Sequence, residues 1–391
     1  MVAPMLRPPE QVMRLERMGS FHQSRLSFMR ILLRHMKTQS WVFERPRFDI
    51  DADGVGTALY AAVTPERTYT LVAFAHDLAD DQRSDRVIAT AWDATFTLHD
   101  GVPTDADIER LRARVPLQEA ARVRESELTL ARANRSVRLW SHVVDALAAG
   151  HQPDRTLVDS VGYLMRTTAV YGSGKFGAAD RAVIADRPEF TAPFQVEMLT
   201  VYLIRAFVLD LVEQVASGRS ADAVALAPEI RRSLGIGNST GLGMAPFLLT
   251  HPQLVSNWIE AREHALALVR AIEEPSAAAI ESFLDYLARS RRSVELWRSG
   301  HPRQHARIET LRRDIDALDS HLQMHPVSTS FGWNQLYEWT EQHLSVEGQE
   351  MVASLLLEPH GDVVDHLATT CLLYTSPSPR DATLSRMPSS A

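Results

Sequence analysis

Lysine is nearly absent from this chain of 391 residues: of its 41 basic residues only Lys37 and Lys175 are lysine, and the other 39 are arginine. Cysteine is scarcer still, with Cys371 alone. A single cysteine excludes an internal disulfide framework and any cysteine-based zinc centre, and it fits a reducing cytoplasm. Asparagine occurs only at Asn134, Asn238, Asn257 and Asn334. A basic surplus is missing too: the net charge of −8 argues against a dedicated nucleic-acid binder. No apolar run suffices for a bilayer. The most apolar stretch, Met198–Val212, is shorter than the roughly 20 residues a span requires, and Arg205 and Asp210 interrupt it. The N-terminus lacks the apolar core and small-residue cleavage site of a signal peptide. The chain is therefore expected to be cytoplasmic, with no transmembrane span.

What is present is enough for two or three domains and a sizeable core. Residues 8–39 predict a basic amphipathic helix, with Val12, Leu15, Met18, Phe28, Leu32 and Met36 along one side. Residues 1–47 hold nine Arg or Lys against three acids. Such a helix suits an anionic membrane surface or nucleic acid, or else docks on an acidic body, and the overall charge favours the last. Val42–Ile50, Thr57–Val63, Tyr69–Ala75 and Val87–Leu98 are rich in β-branched and aromatic residues, with turn signals between them. They predict a four-stranded antiparallel meander over 41–102.

Beyond Pro103 the expected elements are helical. Thr104 and Asp107 form a capping box that opens helix 105–114. One or two helices follow over 119–149, then helices 156–170, 194–217, 253–274 and 276–299. Ile308, Leu311, Ile315, Leu318 and Leu322 step as a short heptad seam, which makes an antiparallel hairpin with helix 276–299. Helices 334–343 and 346–357 come last. The expected fold class is α+β and predominantly α-helical: a small N-terminal antiparallel β-meander, then a multi-helix domain with a C-terminal antiparallel helical hairpin. The boundaries are 1–40, 41–102, a helical core over 103–275, and 276–371. Residues 372–391 read as translated sequencing-adapter read-through, so the natural chain is expected to depart from this one after about residue 370. The alternative for them is a genuine Ser/Pro-rich tail.

The chemistry starts from the scarce lysine. Lys175 stands in Tyr171-Gly172-Ser173-Gly174-Lys175-Phe176-Gly177. A chain that writes cations as arginine and keeps a lysine among glycines points to a need for the ammonium itself. The segment matches G-x-G-x-x-G, but a dinucleotide site needs a strand before it, a helix opening at it and a second parallel strand, none of which is predicted. It is not a P-loop either, because Phe176 stands where the magnesium-binding hydroxyl belongs. Backbone N–H groups beside an ammonium suit an anionic oxygen; the plainer alternative is a tight turn with Lys175 on the surface.

A second glycine-rich segment, Gly235–Gly243, carries Asn238, Ser239 and Thr240. Two such segments, each with an unexpected polar residue, suggest one shared pocket. Lys175 and Glu197 are the candidate catalytic residues. Arg166, Thr168, Tyr171, Gly174, Arg205, Asn238, Ser239 and Thr240 are the candidates for binding the anion. Glu197 and Arg205 lie two turns apart on one helix face, where an internal ion pair is the alternative. Asp49, Asp51 and Asp53 read as a turn rather than a calcium loop, and the pairs His301/His305 and His321/His325 as surface histidines rather than metal ligands. No metal and no cofactor is expected. The expected partner is a small anion, a carboxylate or phosphate. The alternative is a non-catalytic scaffold that forms homo-oligomers through the 276–325 hairpin.

Overall fold

A computed structural model gives the architecture of the chain. It describes residues 6–12, 14, 17, 28–79, 91–113, 115, 124–167, 184, 187–190, 195–238, 252–298, 302–328 and 331–364. The strands are β1 (Val42–Ile50), β2 (Gly56–Val63), β3 (Thr68–Ala75), β4 (Ala94–Asp100), β5 (Glu127–Arg135), β6 (Tyr163–Thr167) and β7 (Gly235–Asn238). The helices are α1 (Pro9–Val12), α2 (Phe28–Thr38), α3 (Asp105–Arg112), α4 (Trp140–Ala148), α5 (Arg155–Val161), α6 (Gln195–Arg219) and α7 (Pro228–Ser233). They continue with α8 (Pro252–Arg270), α9 (Ala277–Leu296), α10 (Pro302–Met324), α11 (Trp333–His343) and α12 (Val346–Leu357). Two compact units result, one built chiefly from Leu32–Phe190 and Phe194–Pro252, the other from Met1–Ile31 and Gln253–Leu373.

The first unit is a sheet in the order β1-β2-β3-β4-β5-β6-β7. Neighbours are antiparallel up to β6, and β7 runs parallel to β6. The sheet is mixed and curls into a half-barrel. This overturns the expected small meander with a purely helical sequel. Three further strands stand where helices or a loop were expected. Glu127–Arg135 is alanine- and leucine-containing and charged at its ends, which reads as helix; pairing with β4 overrides that propensity. The helix expected over 156–170 stops at Gly162, which takes the left-handed C-terminal position with φ 75°, and the chain leaves it as β6. The glycines of Gly235–Asn238 concealed β7.

One face of the sheet is lined with small residues. Gly56, Ala75, Ala94 and Ala133 stand opposite one another in a row across four strands. Over this face lies α6, 25 residues long and apolar on most sides. Phe207 of α6 meets Phe96 edge-on at 5.5 Å and Tyr60 at 6.2 Å between ring centres. The turn between β1 and β2 closes on the same helix. Asp51 Oδ1 accepts from the amides of Asp53 and Val55 at 3.0 and 2.8 Å, and Gly54 follows with φ 81°. On the opposite face α3 buries Ile108 and Leu111 against Leu59, Val72 and Phe74; its N-terminus carries the Thr104–Asp107 capping box. At the outer edge, Pro46 and a register shift between Glu44 and Arg47 interrupt the ladder of β1, which blunts an open strand edge.

The second unit packs Phe283, Leu311, Trp333, Tyr337 and Met351 from α9 to α12 into one core. Its polar centre is a closed ring of charges. Arg7 donates to both oxygens of Glu263, to Tyr337 Oη at 2.9 Å and to Glu350 Oε1 at 3.1 Å. Arg262 bridges the same two glutamates, at 2.8 Å to Glu263 and in a close pair with Glu350. Arg17 adds a bond to Glu350 Oε1 at 2.7 Å and one to Gln349 Oε1 at 2.8 Å. Part of the basic N-terminal charge is thus spent inside this unit. Among the described residues no helix is long and apolar enough to cross a membrane.

Two outcomes follow for stability. A Cβ on Gly218 of α6 would stand 2.5 Å from the carbonyl oxygen of Ala52 and 2.8 Å from its Cβ. Gly218→Ala is therefore expected to lower stability by about 1–3 kcal/mol, although alanine is the better helix former by about 1 kcal/mol; a raised Tm would show the contact relaxes freely. Glu350→Ala strands buried arginines and is expected to cost about 3–5 kcal/mol in urea unfolding. Arg219→Ala removes an exposed pair with Asp145 and should cost less than about 1 kcal/mol. Equal losses in the two would contradict this reading of the ring.

Candidate functional site

The two glycine-rich segments start from neighbouring strands. In the β6–β7 ladder Tyr163 pairs with Gly235, Arg166 with Gly237 and Thr167 with Asn238. The strands are parallel, so the chain leaves both at the same end: residue 168 follows Thr167, and residue 239 follows Asn238 on the next strand. Lys175, Thr168, Tyr171, Gly174, Ser239 and Thr240 lie outside the described residues. Two grounds for setting aside a dinucleotide fingerprint are corrected here, since strand β6 precedes the glycines and β7 is parallel to it. The segment in which a helix would have to open, residues 168–183, lies outside the described residues.

Arg166 sits on β6 opposite Asn134 of β5. Asn134 is buried and locks the neighbouring chain: its Oδ1 accepts from the amide of Asp93 at 2.9 Å, and Asp93 Oδ2 accepts from the amide of Arg135, also at 2.9 Å. The Arg135 guanidinium lies 4.8 Å from the centre of the Trp140 ring and 3.5 Å from Asp77. His76 completes this end of the sheet, its amide donating to the Asp93 carbonyl at 2.8 Å. Burial pushes the His76 imidazole below the ordinary histidine range, with Asp93 opposing in part. Asn134, Asp93 and His76, joined at this end of the sheet, are not among the candidates read from the sequence. Asparagine scarcity was the available signal for Asn134, and it was spent on Asn238 alone.

Glu197 and Arg205 both lie on α6, and Glu197 is buried. Arg205 turns to the main chain: Nε donates to the Leu234 carbonyl at 2.7 Å and Nη2 to that of Arg231. It satisfies the open carbonyl end of α7 and holds the residue from which β7 begins. Burial, and then the nearby Arg231, push its guanidinium below the ordinary arginine range. Farther along α6, Asp210 accepts from Arg231 at 2.7 Å, Tyr60 at 2.7 Å and Arg45 at 2.9 Å, and Glu213 accepts from Arg231 at 2.8 Å. The acids of α6 beyond Arg205 thus pair with arginines other than Arg205.

Beyond the glycine segment the chain returns to the sheet at Pro188–Phe190. Here Tyr69 Oη donates to Glu189, and Arg187 holds Asp100 through both nitrogens of its fork. Among the described residues no group of three or more His, Cys, Asp or Glu is placed to hold a metal ion. His321, read as a surface residue, is in fact buried and stacks on Trp339 at 3.9 Å.

Comparison with known proteins yields no match: no family model fits the chain, and no curated protein or solved structure resembles it significantly. The site therefore stands on its own geometry.

Burial also holds His35, His321 and His360 below the ordinary histidine value, as it does His76. The unfolded chain then accepts protons that the folded chain refuses, so stability is full at about pH 8 and declines as pH falls through about 6.5. His76→Gln is expected to make that decline shallower in urea unfolding between about pH 7 and pH 5. An unchanged slope in the variant would refute the assignment.

Proposed function

We propose that this chain binds a small anion, a carboxylate or phosphate, between the segments that follow β6 and β7, and acts on it as an enzyme of the cytoplasm. In this reading Lys175 holds the anion or serves as general acid and base, with Glu197 as the second proton-transfer group. Arg166 supplies charge, and Thr168, Tyr171, Gly174, Asn238, Ser239 and Thr240 supply donors. Arg205 serves by position, through its grip on the start of β7.

The observation that carries the reading is the parallel register of Thr167 with Asn238. Ligands of parallel strands gather beyond their carboxyl ends, where connecting segments converge, and both glycine-rich segments depart from that end. The scarcity of lysine in the composition adds independent weight to Lys175. A scaffold or interaction role is the second reading. It draws on Leu284 and Leu296, which stand 45% and 54% exposed on α9 and suit contact with another copy.

Lys175→Arg separates the two. Charge is kept, but a compact ammonium becomes a planar fork. Affinity for inorganic phosphate or acetate, measured by titration calorimetry, is expected to fall about tenfold, near 1.4 kcal/mol, with the circular dichroism spectrum unchanged. Equal affinity in the variant would end the enzyme reading and leave the scaffold.

A further inference from the structure

The face of the sheet turned away from α6 carries polar groups that have been buried without partners. Thr57, Phe74, Thr95 and Arg132 stand opposite one another in one row across β2, β3, β4 and β5, and directly opposed residues project to the same face. Asn134 is two residues beyond Arg132 on the same strand and so shares that face. Trp92 joins the row through Arg132, whose guanidinium lies 4.2 Å from the centre of its ring. Thr57, Trp92, Thr95 and Asn134 are all at most 2% exposed. Yet Thr57 Oγ1, Trp92 Nε1, Thr95 Oγ1 and Asn134 Nδ2 have no hydrogen-bond partner.

Leaving one such group dry costs about 1–3 kcal/mol, and the three at the β4–β5 end, Trp92, Thr95 and Asn134, call for a common explanation. The chemistry of the four is one-sided. Indole Nε1 and amide Nδ2 are donors only, and the two hydroxyls adapt to whatever faces them. The acceptor side of Asn134 is already taken by the Asp93 amide. Arg132 stands at one end of the row; Arg112, 5.6 Å from the centre of the Phe74 ring, is paired with Glu109 at 3.1 Å. Donors without acceptors beside the Arg132 guanidinium match an acceptor-rich ligand that brings no proton of its own.

We propose that this row is a binding site for a small oxyanion, with Thr95, Asn134 and Trp92 donating to it and Arg132 supplying charge. The site uses β4, the residue Trp92 just before it, and β5, and stands whether or not Lys175 binds anything. The ligand's oxyanion is either a phosphate or a carboxylate, and the two probes below tell them apart.

The test uses the full chain and two near-isosteric variants. Thr95→Val removes a hydroxyl at constant shape. Asn134→Asp keeps the oxygen that holds the Asp93 amide, loses the donor and adds a repelling charge. Inorganic phosphate and acetate are titrated separately, with thermal unfolding run alongside. The expected result is binding of one of them to the wild-type chain, weakened about tenfold or more in both variants, while Thr95→Val without ligand unfolds no earlier than wild type. A protein that gains or keeps stability while losing the ligand identifies a binding role rather than a structural one. Three results overturn the proposal: neither anion binds the wild-type chain, both variants bind as wild type does, or Thr95→Val loses stability in the absence of ligand. If Lys175→Arg loses the anion while Thr95→Val and Asn134→Asp keep it, this site falls and the lysine reading survives. If the losses are the other way round, the reverse holds.

Discussion

The close approach of α6 to the sheet is the constraint on which the larger unit depends. A long helix settles on a curled sheet only where the strands present little volume, and the row Gly56, Ala75, Ala94 and Ala133 provides that space. Phe207 fills what the small residues leave open, between Tyr60 and Phe96. From this one contact the other placements follow. The β1–β2 turn closes against α6 near its C-terminal end, where Gly54 leaves room for Val215 and Gly218 for Ala52. Arg205, in the middle of the helix, fixes where α7 ends and β7 begins. The packed face also decides which residues turn to the other side, and so where the unpartnered donors collect.

Parts of this were legible in the sequence for identifiable reasons. β1, β2 and β3 stand where alternation and turn residues put them, because their hairpins are local and their turns carry Asp-Gly or Thr-Pro signals. β5, β6 and β7 were concealed by the opposite circumstance. Their pairing is determined by strands already formed, their own sequences favour helix or loop, and β6 and β7 are only 5 and 4 residues long. In the candidate site, the kinship of the two glycine-rich segments was visible through rare residue types. The partnership of Arg166 with Asn134 was not, since 32 positions separate residues that only a sheet register brings together. Likewise, two turns of helix put Glu197 and Arg205 on one face, but nothing in their spacing shows Arg205 turning to main-chain oxygens.

The arginine habit of the chain has a structural counterpart. In the ring around Glu263 and Glu350, Arg7 uses Nε and both terminal nitrogens at once, a geometry that a lysine cannot reproduce. Arg312 likewise spans the carbonyls of Val294, Glu295 and Trp297 at the end of α9. Buried charge of this kind is costly unless every lone pair is met, and here forked donors meet them. The same property makes arginine a poor choice where one movable proton is wanted, which is why the exceptional lysine draws notice.

The parallel pairing of β6 with β7 has a kinetic side. β1, β2 and β3 find each other across short turns, but β7 reaches β6 only after the chain has passed through α6 and α7. Loop closure over such a distance is slow and is rewarded late. With a short ladder to β6 and no second strand partner among the described residues, β7 is expected to join late during folding and to open early in native-state fluctuations. Any ligand that grips the segments after β6 and β7 would therefore act as a latch on the least secure margin of the sheet. Its binding energy would be felt as slower opening there, well before it was felt in the stability of the whole unit.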